Sequence, residues 1–344
     1  MEVKGLTIKD IAQLSGYAVG TVSRVLNDRP NVSDAARQRV LAVVEEHHFK
    51  RNSNAKHLKQ QSSSGVAIII KGSRNMLFAD IVEHIQALLR DSGYPSTVYY
   101  LDEDHDEVEQ ARQVCRERRP QGILFLGSNL ELFRAAFQPV RVPCVLVTNS
   151  AAGLGFANLS SVSTDDARAA REAVERLMVL GHRKIGIIGG GMEASNTAYT
   201  RFLGVQQAFA EHGLAFDAER QYEISRFAMS SGYEAMGHLL DRMPELTAVF
   251  AMSDVQAVGA IRALHDRGLG VPEDISVVGF DGIELGGYLV PKLATVRQDA
   301  ETMARRSVEI LLRQVCEGEG AVHELIPYRF LPGESTRELR EERA

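Results

Sequence analysis

The chain has 344 residues, 44% hydrophobic and 24% charged, with three cysteines, no tryptophan and a formal net charge of −6. That length provides for two or three domains with a substantial core. The lack of any apolar run of about 18 residues, and of a hydrophobic N-terminal segment, argues against a membrane span or secretory leader and predicts a soluble, cytoplasmic protein.

Cys115, Cys144 and Cys316 stand far apart, with no CxxC and no paired-histidine spacing. This argues against a metal site or a disulfide framework and leaves all three as small packing residues. The charge is unevenly divided. Residues 1–61 hold ten Lys and Arg against six Asp and Glu, and the remainder holds 29 against 39. A polyanionic partner therefore belongs at the N-terminus.

From Thr7 to Asn27, apolar residues at Ile8, Ile11, Ala12 and Leu14, then at Val22, Val25 and Leu26, give two helical stripes parted by Gly16. Thr7 followed by Asp10 is a variant of the capping box. Two such helices form either a plain helical hairpin or a unit that offers its second helix to the DNA major groove. In the second case Thr21, Ser23, Arg24 and Asn27 lie off the buried stripe, placed for phosphates and base edges. Ser33 caps a third helix, predicted from Asp34 to His48, whose Val40, Leu41 and Val44 close a small core. Its Arg37 and Arg39 reach phosphate or are solvated surface. Residues 52–64 form a polar, serine-rich stretch without a core pattern, which composition reads as a linker.

From Gly65 the pattern alternates strand and helix. Strands are predicted at Val66–Ile70, Thr97–Leu101, Gly122–Leu126 and Val142–Val147, with helices near Ala79–Ser92 and Asp106–Arg118. The cycle restarts at Asp166 with a helix to Gly181, strand Lys184–Ile188, helix Thr200–His212, strand Ala248–Met252, helix Val255–Arg267 and strand Ile275–Phe280. Apolar strands between amphipathic helices mean parallel sheets covered on both faces. Two such cycles predict two Rossmann-like α/β lobes facing one cleft, with ligands outside the carboxyl ends of the strands.

GYAVGTVSRVLN, residues 16–27, resembles the helix-turn-helix of the LacI/GalR family of bacterial transcription regulators, and the resemblance extends over nearly the whole chain. It implies a helix-turn-helix headpiece over residues 1–50, a hinge helix and linker over 51–64, and a periplasmic-binding-protein-like effector and dimerisation domain over 65–344. The lobes of that domain would be 65–163 with 298–327, and 164–297 with 328–340. Thr7, Val19, Gly20, Thr21, Ser23, Arg24 and Asn27 become DNA-binding residues. Val19 and Gly20 offer only apolar contact and close backbone approach, suited to a thymine methyl or groove shape. Ala18 stands where the family has a capping serine. In the hinge, Asn52, Ala55 and Lys56 match the family pattern, with Lys56 replacing the usual Arg, and Leu58 is the residue that wedges into the minor groove.

For the effector, the resemblance places Asn75, Met76 and Phe78 in a segment like the family's Asn-Pro-Phe-Phe, with Asn149, Arg201, Asp254 and Asp281 at other strand ends. An arginine among carboxylates and amides suits a small polyhydroxy or zwitterionic ligand. The family reading implies a homodimer on a roughly palindromic operator, most often released from DNA by its effector. It requires no cofactor and no catalysis.

Other readings are weaker. Gly189-Gly190-Gly191-Met192-Glu193-Ala194 formally fits a dinucleotide fingerprint, but no helix is predicted directly behind it and no acid ends the next strand. The ten histidines form no nucleophile–base–acid grouping, and His182 reads as structural. An α/β enzyme acting on a sugar or nucleoside would leave the charge division unexplained, and a solute-binding protein would need an export signal. The charged C-terminal stretch has no leucine heptads, which argues against a tetramerising coil.

Overall fold

Apolar residues at helical spacing form three short helices at the N-terminus: α1 (Ile8–Ser15), α2 (Val19–Leu26) and α3 (Asp34–Glu46). The computed structural model describes residues 8–26, 32–47, 65–72, 74–191 and 196–339, and the chain divides into two units, Met1–Ser63 and Ser64–Ala344. In the first, Ile11, Ala12, Val22, Val25, Val40 and Val43 make the core. Gly16 stops α1 in the left-handed region at φ +77°, its N–H bonding the Ala12 carbonyl at 3.0 Å, a conformation open to glycine without Cβ strain. Ser33 caps α3 by accepting from Ala36 N.

Two core expectations are corrected. Leu14 is 42% exposed and Leu41 46%. On α1 the inward stripe is Ile11, Ala12 and Ser15, and on α3 it is Val40, Val43 and Val44. Leu14 and Leu41 sit about 100° round from those stripes, since each residue turns a helix by about that angle.

At the start of α2 the Ala18 carbonyl accepts from Val22 N at 3.1 Å, so Ala18 occupies the cap position with no side-chain acceptor. Ala18→Ser is therefore expected to stabilise this unit by about 1 kcal/mol. Its thermal midpoint should rise; an unchanged midpoint would mean the first-turn N–H groups already have adequate partners.

The second unit contains two six-stranded sheets. In chain order its elements are β1 (Val66–Lys71), α4 (Met76–Asp91), β2 (Ser96–Leu101), α5 (Glu107–Arg118), β3 (Gly122–Leu126), α6 (Leu130–Ala136), β4 (Cys144–Val147) and β5 (Leu159–Ser163). There follow α7 (Asp166–Val179), β6 (Ile185–Gly189), α8 (Asn196–Glu211), α9 (Ala218–Gln221), β7 (Tyr222–Ile224), α10 (Met229–Arg242), β8 (Ala248–Ala251), α11 (Asp254–Asp266) and β9 (Ser276–Asp281). The last are β10 (Ala294–Arg297), α12 (Ala300–Glu317), β11 (His323–Leu325) and β12 (Arg329–Leu331).

The first sheet has order β11-β5-β4-β3-β1-β2 and is wholly parallel. The second has order β12-β10-β9-β8-β6-β7, with only the β10–β12 pair antiparallel. Alternation along β1 shows why both faces are covered: Val66, Ile68 and Ile70 pack with α4 and α12, while Ala67 and Ile69 pack with α5 and α6. The second sheet is covered likewise by α7 and α8 on one face and α10 and α11 on the other.

The chain passes between the sheets three times: after β5, between β10 and β11, and between β11 and β12. These passages touch one another. Thr164 Oγ1 donates to Gln298 Oε1 at 2.8 Å, and Ile326 N donates to the Ser163 carbonyl at 2.8 Å. Among the described residues no helix is long and apolar enough to cross a membrane.

Candidate functional site

Strand ends of both sheets meet across a cavity of about 220 Å³, whose wall includes Lys71, Asn75 and Phe78 from one lobe and Arg201, Phe227 and Asp281 from the other. Asn75 caps α4, its Oδ1 accepting from Leu77 N, and its Nδ2 donates across the cleft to Asp281 Oδ2 at 3.2 Å. Gly127, at the end of β3, has φ +75°, and a Cβ there would lie 2.2 Å from the Lys71 carbonyl. Only glycine fits this wall.

Arg201 is buried and held on three sides. Its Nε donates to Asp166 Oδ1 at 2.7 Å, one terminal nitrogen donates to the Met252 carbonyl, and the guanidinium lies 3.7 Å from the centre of the Phe280 ring. The other terminal nitrogen is 3.8 Å from Asp281 Oδ1. Such a fixed, stacked guanidinium presents its remaining donors in one direction.

Asp281 is the junction of the site. It adopts φ +116°, and Gln298 Nε2 donates to its Oδ1 at 2.8 Å. Burial pushes its carboxyl up to about 6, against the opposing pull of Arg201, Gln298 and Asn75. Burial likewise raises Asp166, with Arg201 opposing.

Asn75, Phe78, Arg201 and Asp281 thus come together, but three other residues expected at the site do not line the cavity. Met76 is 41% exposed at the start of α4. Asn149 sits behind the wall: its Oδ1 accepts from Ser128 N at 3.3 Å, and its Nδ2 crosses to Thr197 Oγ1 at 2.9 Å. Asp254 is fully buried and turned away, accepting from Ile283 N at 2.8 Å and Thr295 Oγ1 at 2.6 Å. Burial, then the neighbouring charge of Asp281, holds its carboxyl well above the ordinary range. Its place is structural because both oxygens bind backbone or side chain of its own lobe.

The sequence reading missed the cavity's rim. Asp102, Glu103 and Asp104 follow β2, and Arg226 follows β7; Arg226 binds Asp102 at 3.1 Å and also Asp104, bridging the lobes. The signal was the acidic run Asp102-Glu103-Asp104 at a strand end, with Arg226 hidden behind a three-residue strand.

The glycine run begins at the end of β6, and its Gly190 and Gly191 line the cavity with no room for side chains behind them at Gly189 and Gly190. A Cβ on Gly189 would meet Tyr222 Oη at 2.2 Å and one on Gly190 would meet Phe227 at 2.8 Å. His182 is buried between Thr247 and the Arg337 carbonyl, and burial lowers its pKa, as a structural imidazole requires. Cys316 is exposed, its Sγ 3.2 Å from Tyr94 Oη, so it is not the buried packing residue expected.

On α2, Val19, Gly20 and Arg24 are exposed and Thr21 and Ser23 half-buried. Val19, Gly20, Ser23 and Arg24 fall within an arc of about 140° opposite the buried Val22 and Val25. Thr7, Asn27, Asn52, Ala55, Lys56 and Leu58 lie outside the described residues.

A helix-turn-helix unit joined to a two-lobed α/β domain with a polar cleft defines a ligand-responsive DNA-binding protein. Residues 7–52 match the model of bacterial regulatory proteins of the lacI family, and residues 174–336 match a periplasmic binding protein-like domain. The chain is 34% identical to the HTH-type transcriptional regulator MalR of Clostridium butyricum over 89% of its own length and 92% of that protein's. Among solved structures, a transcriptional regulator CelR–cellobiose complex aligns at TM-score 0.70 and 27% identity, covering 96% of this chain and 99% of that one. The lac repressor dimer bound to operator shares the fold at TM-score 0.76 and 24% identity, covering 97% and 100%. The chain belongs to the lacI family of bacterial regulatory proteins. It is a DNA-binding transcription regulator, not an enzyme.

Proposed function

We propose that this protein is a cytoplasmic repressor which binds a roughly palindromic operator as a homodimer and is controlled by a small polar metabolite, sugar-like in chemistry, held between its lobes. The observation that carries the reading is the pair Asn75 and Asp281, bonded across the cleft beside the stacked Arg201. A ligand inserted among these groups changes lobe closure, because it replaces bonds that now join the lobes directly. Closure shifts the dimer between arrangements with different DNA affinity. The Val19, Gly20, Ser23 and Arg24 face of α2 enters the major groove, and Asn52, Ala55, Lys56 and Leu58 form the hinge that meets the minor groove. Relatives support the parts: one solved neighbour carries cellobiose, and another is a repressor dimer on its operator.

The test is selection of bound duplexes from a random DNA pool by the purified full chain at fixed salt. The expected result is enrichment of a two-fold symmetric site. Enrichment of a single asymmetric half-site would overturn the dimer, and no enrichment would overturn the repressor reading.

A further inference from the structure

The cavity wall contains three cations, and each already has anionic partners. Lys71 Nζ lies 2.8 Å from Glu107 Oε2, Arg201 binds Asp166 at 2.7 Å, and Arg226 spans the rim to Asp102 at 3.1 Å and to Asp104. Glu103 and Asp281 also line the cavity. The lining charges balance, Glu103, Asp104 and Asp281 against the three cations, and Glu107, Asp166 and Asp102 outside the lining hold those same cations, so each described cation of the wall is already committed to a carboxylate. Burial raises both Glu103 and Asp281, outweighing the pull of Arg226 on the first and of Arg201 on the second.

Into such a wall a phosphate or carboxylate would bring further negative charge with its desolvation uncompensated. A hydroxyl donates to a carboxylate and is matched at once. Size narrows the choice. A cavity of about 220 Å³ falls below the ~300 Å³ at which drug-sized sites begin. That is room for one ring. Phe78 and Phe227, both half-buried in the wall, offer flat apolar surfaces to its C–H faces.

We propose that the cleft takes a single polyhydroxy ring carrying no anionic group and rejects phosphorylated or acidic sugars of the same size. The proposal rests on the reading of the cleft as the effector site.

The test is thermal unfolding of the full chain, followed by calorimetry, with the common aldohexoses, ketohexoses and aldopentoses. Each is supplied as the free sugar, as its terminal phosphate and as its uronic or aldonic acid. A free sugar is expected to raise the midpoint, its phosphate and acid to bind at least 100-fold more weakly, and Glu103→Gln to narrow that gap at least tenfold. A phosphate or acid that binds as tightly as its parent overturns the proposal. So does a gap unchanged in Glu103→Gln, which would trace rejection to shape rather than charge, or binding of cellobiose with no one-ring sugar bound. If nothing in the panel binds, the one-ring assignment falls. Operator enrichment in the same preparation would then leave the regulator reading standing, and its loss would remove that reading as well.

Discussion

Arg24→Ala is expected to abolish selection of a specific operator while leaving the two-lobed unit folded. The guanidinium stands on the exposed face of α2, opposite the buried Val22 and Val25. A side chain there reaches base edges or phosphates without disturbing the small core. A good bidentate arginine–base contact contributes about 1–3 kcal/mol of discrimination. A symmetric dimer loses it in both half-sites, so specific affinity falls by roughly 30-fold to more than 10⁴-fold. Titration of an enriched duplex in parallel with a scrambled one, at one salt concentration, makes the comparison. Equal affinity of wild type and variant for the enriched duplex would remove Arg24 from the recognition surface.

Asp281→Asn is expected to erase a pH dependence of stability in the two-lobed unit. Burial raises the Asp281 carboxyl from its ordinary 3.8 to about 6. The folded chain therefore holds a proton that the unfolded chain has released between those values. The resulting stabilisation is fully present below pH 3.8 and is lost as pH rises through 6. It amounts to about 3 kcal/mol at 1.36 kcal/mol per unit. The facing groups are Arg201, Asn75, Gln298 and Asp166, and the buried Asp254 carboxyl in turn feels the Asp281 charge. Asparagine keeps the shape but carries no titrating proton, so stability of wild type relative to variant should decline by about that amount between pH 4 and 7. Urea unfolding at several pH values measures it. A difference that stays flat would mean Asp281 titrates normally and is well solvated.

Much of this architecture is legible in the residues. The run Val66–Ile70 announces a fully covered strand because every position along it is apolar, and the observed strand adds only Lys71. The start of α4 was placed at Ala79, but Asn75 caps the helix and Met76 opens it, so its first turn lies at the cleft. β5 was invisible: three of its five residues are serine, all buried. Ser160 and Ser161 meet partners around β11, about 160 residues later, and no local pattern encodes that pairing. The same holds at the site. Arg201 and Asp281 were readable from motif and strand end, whereas Arg226 depends on carboxylates more than 120 residues away. Asp254 shows the opposite failure: position alone placed it in the cleft, but its hydrogen bonds turn it to the interior.

The three passages between the sheets also dictate the order in which the chain can finish itself. The first sheet has β1 to β5 in hand once residue 163 is made, but α12, which covers one face, and β11, which completes one edge, come from residues 300–325. Nearly 140 residues of the other lobe are translated in between. At roughly 5–20 residues per second, the apolar face of Ile68, Ile70, Leu124 and Val145 lacks the α12 part of its cover for on the order of 10 s in every synthesis. The second lobe waits as well: its strands β6 to β10 are contiguous, but β12, which closes one edge of its sheet, is made last, at residues 329–331. Neither lobe is therefore complete on the ribosome until the last stretch of the domain has been made, and a destabilising substitution in α12 would be felt as lost yield of nascent protein before it was felt in the finished regulator.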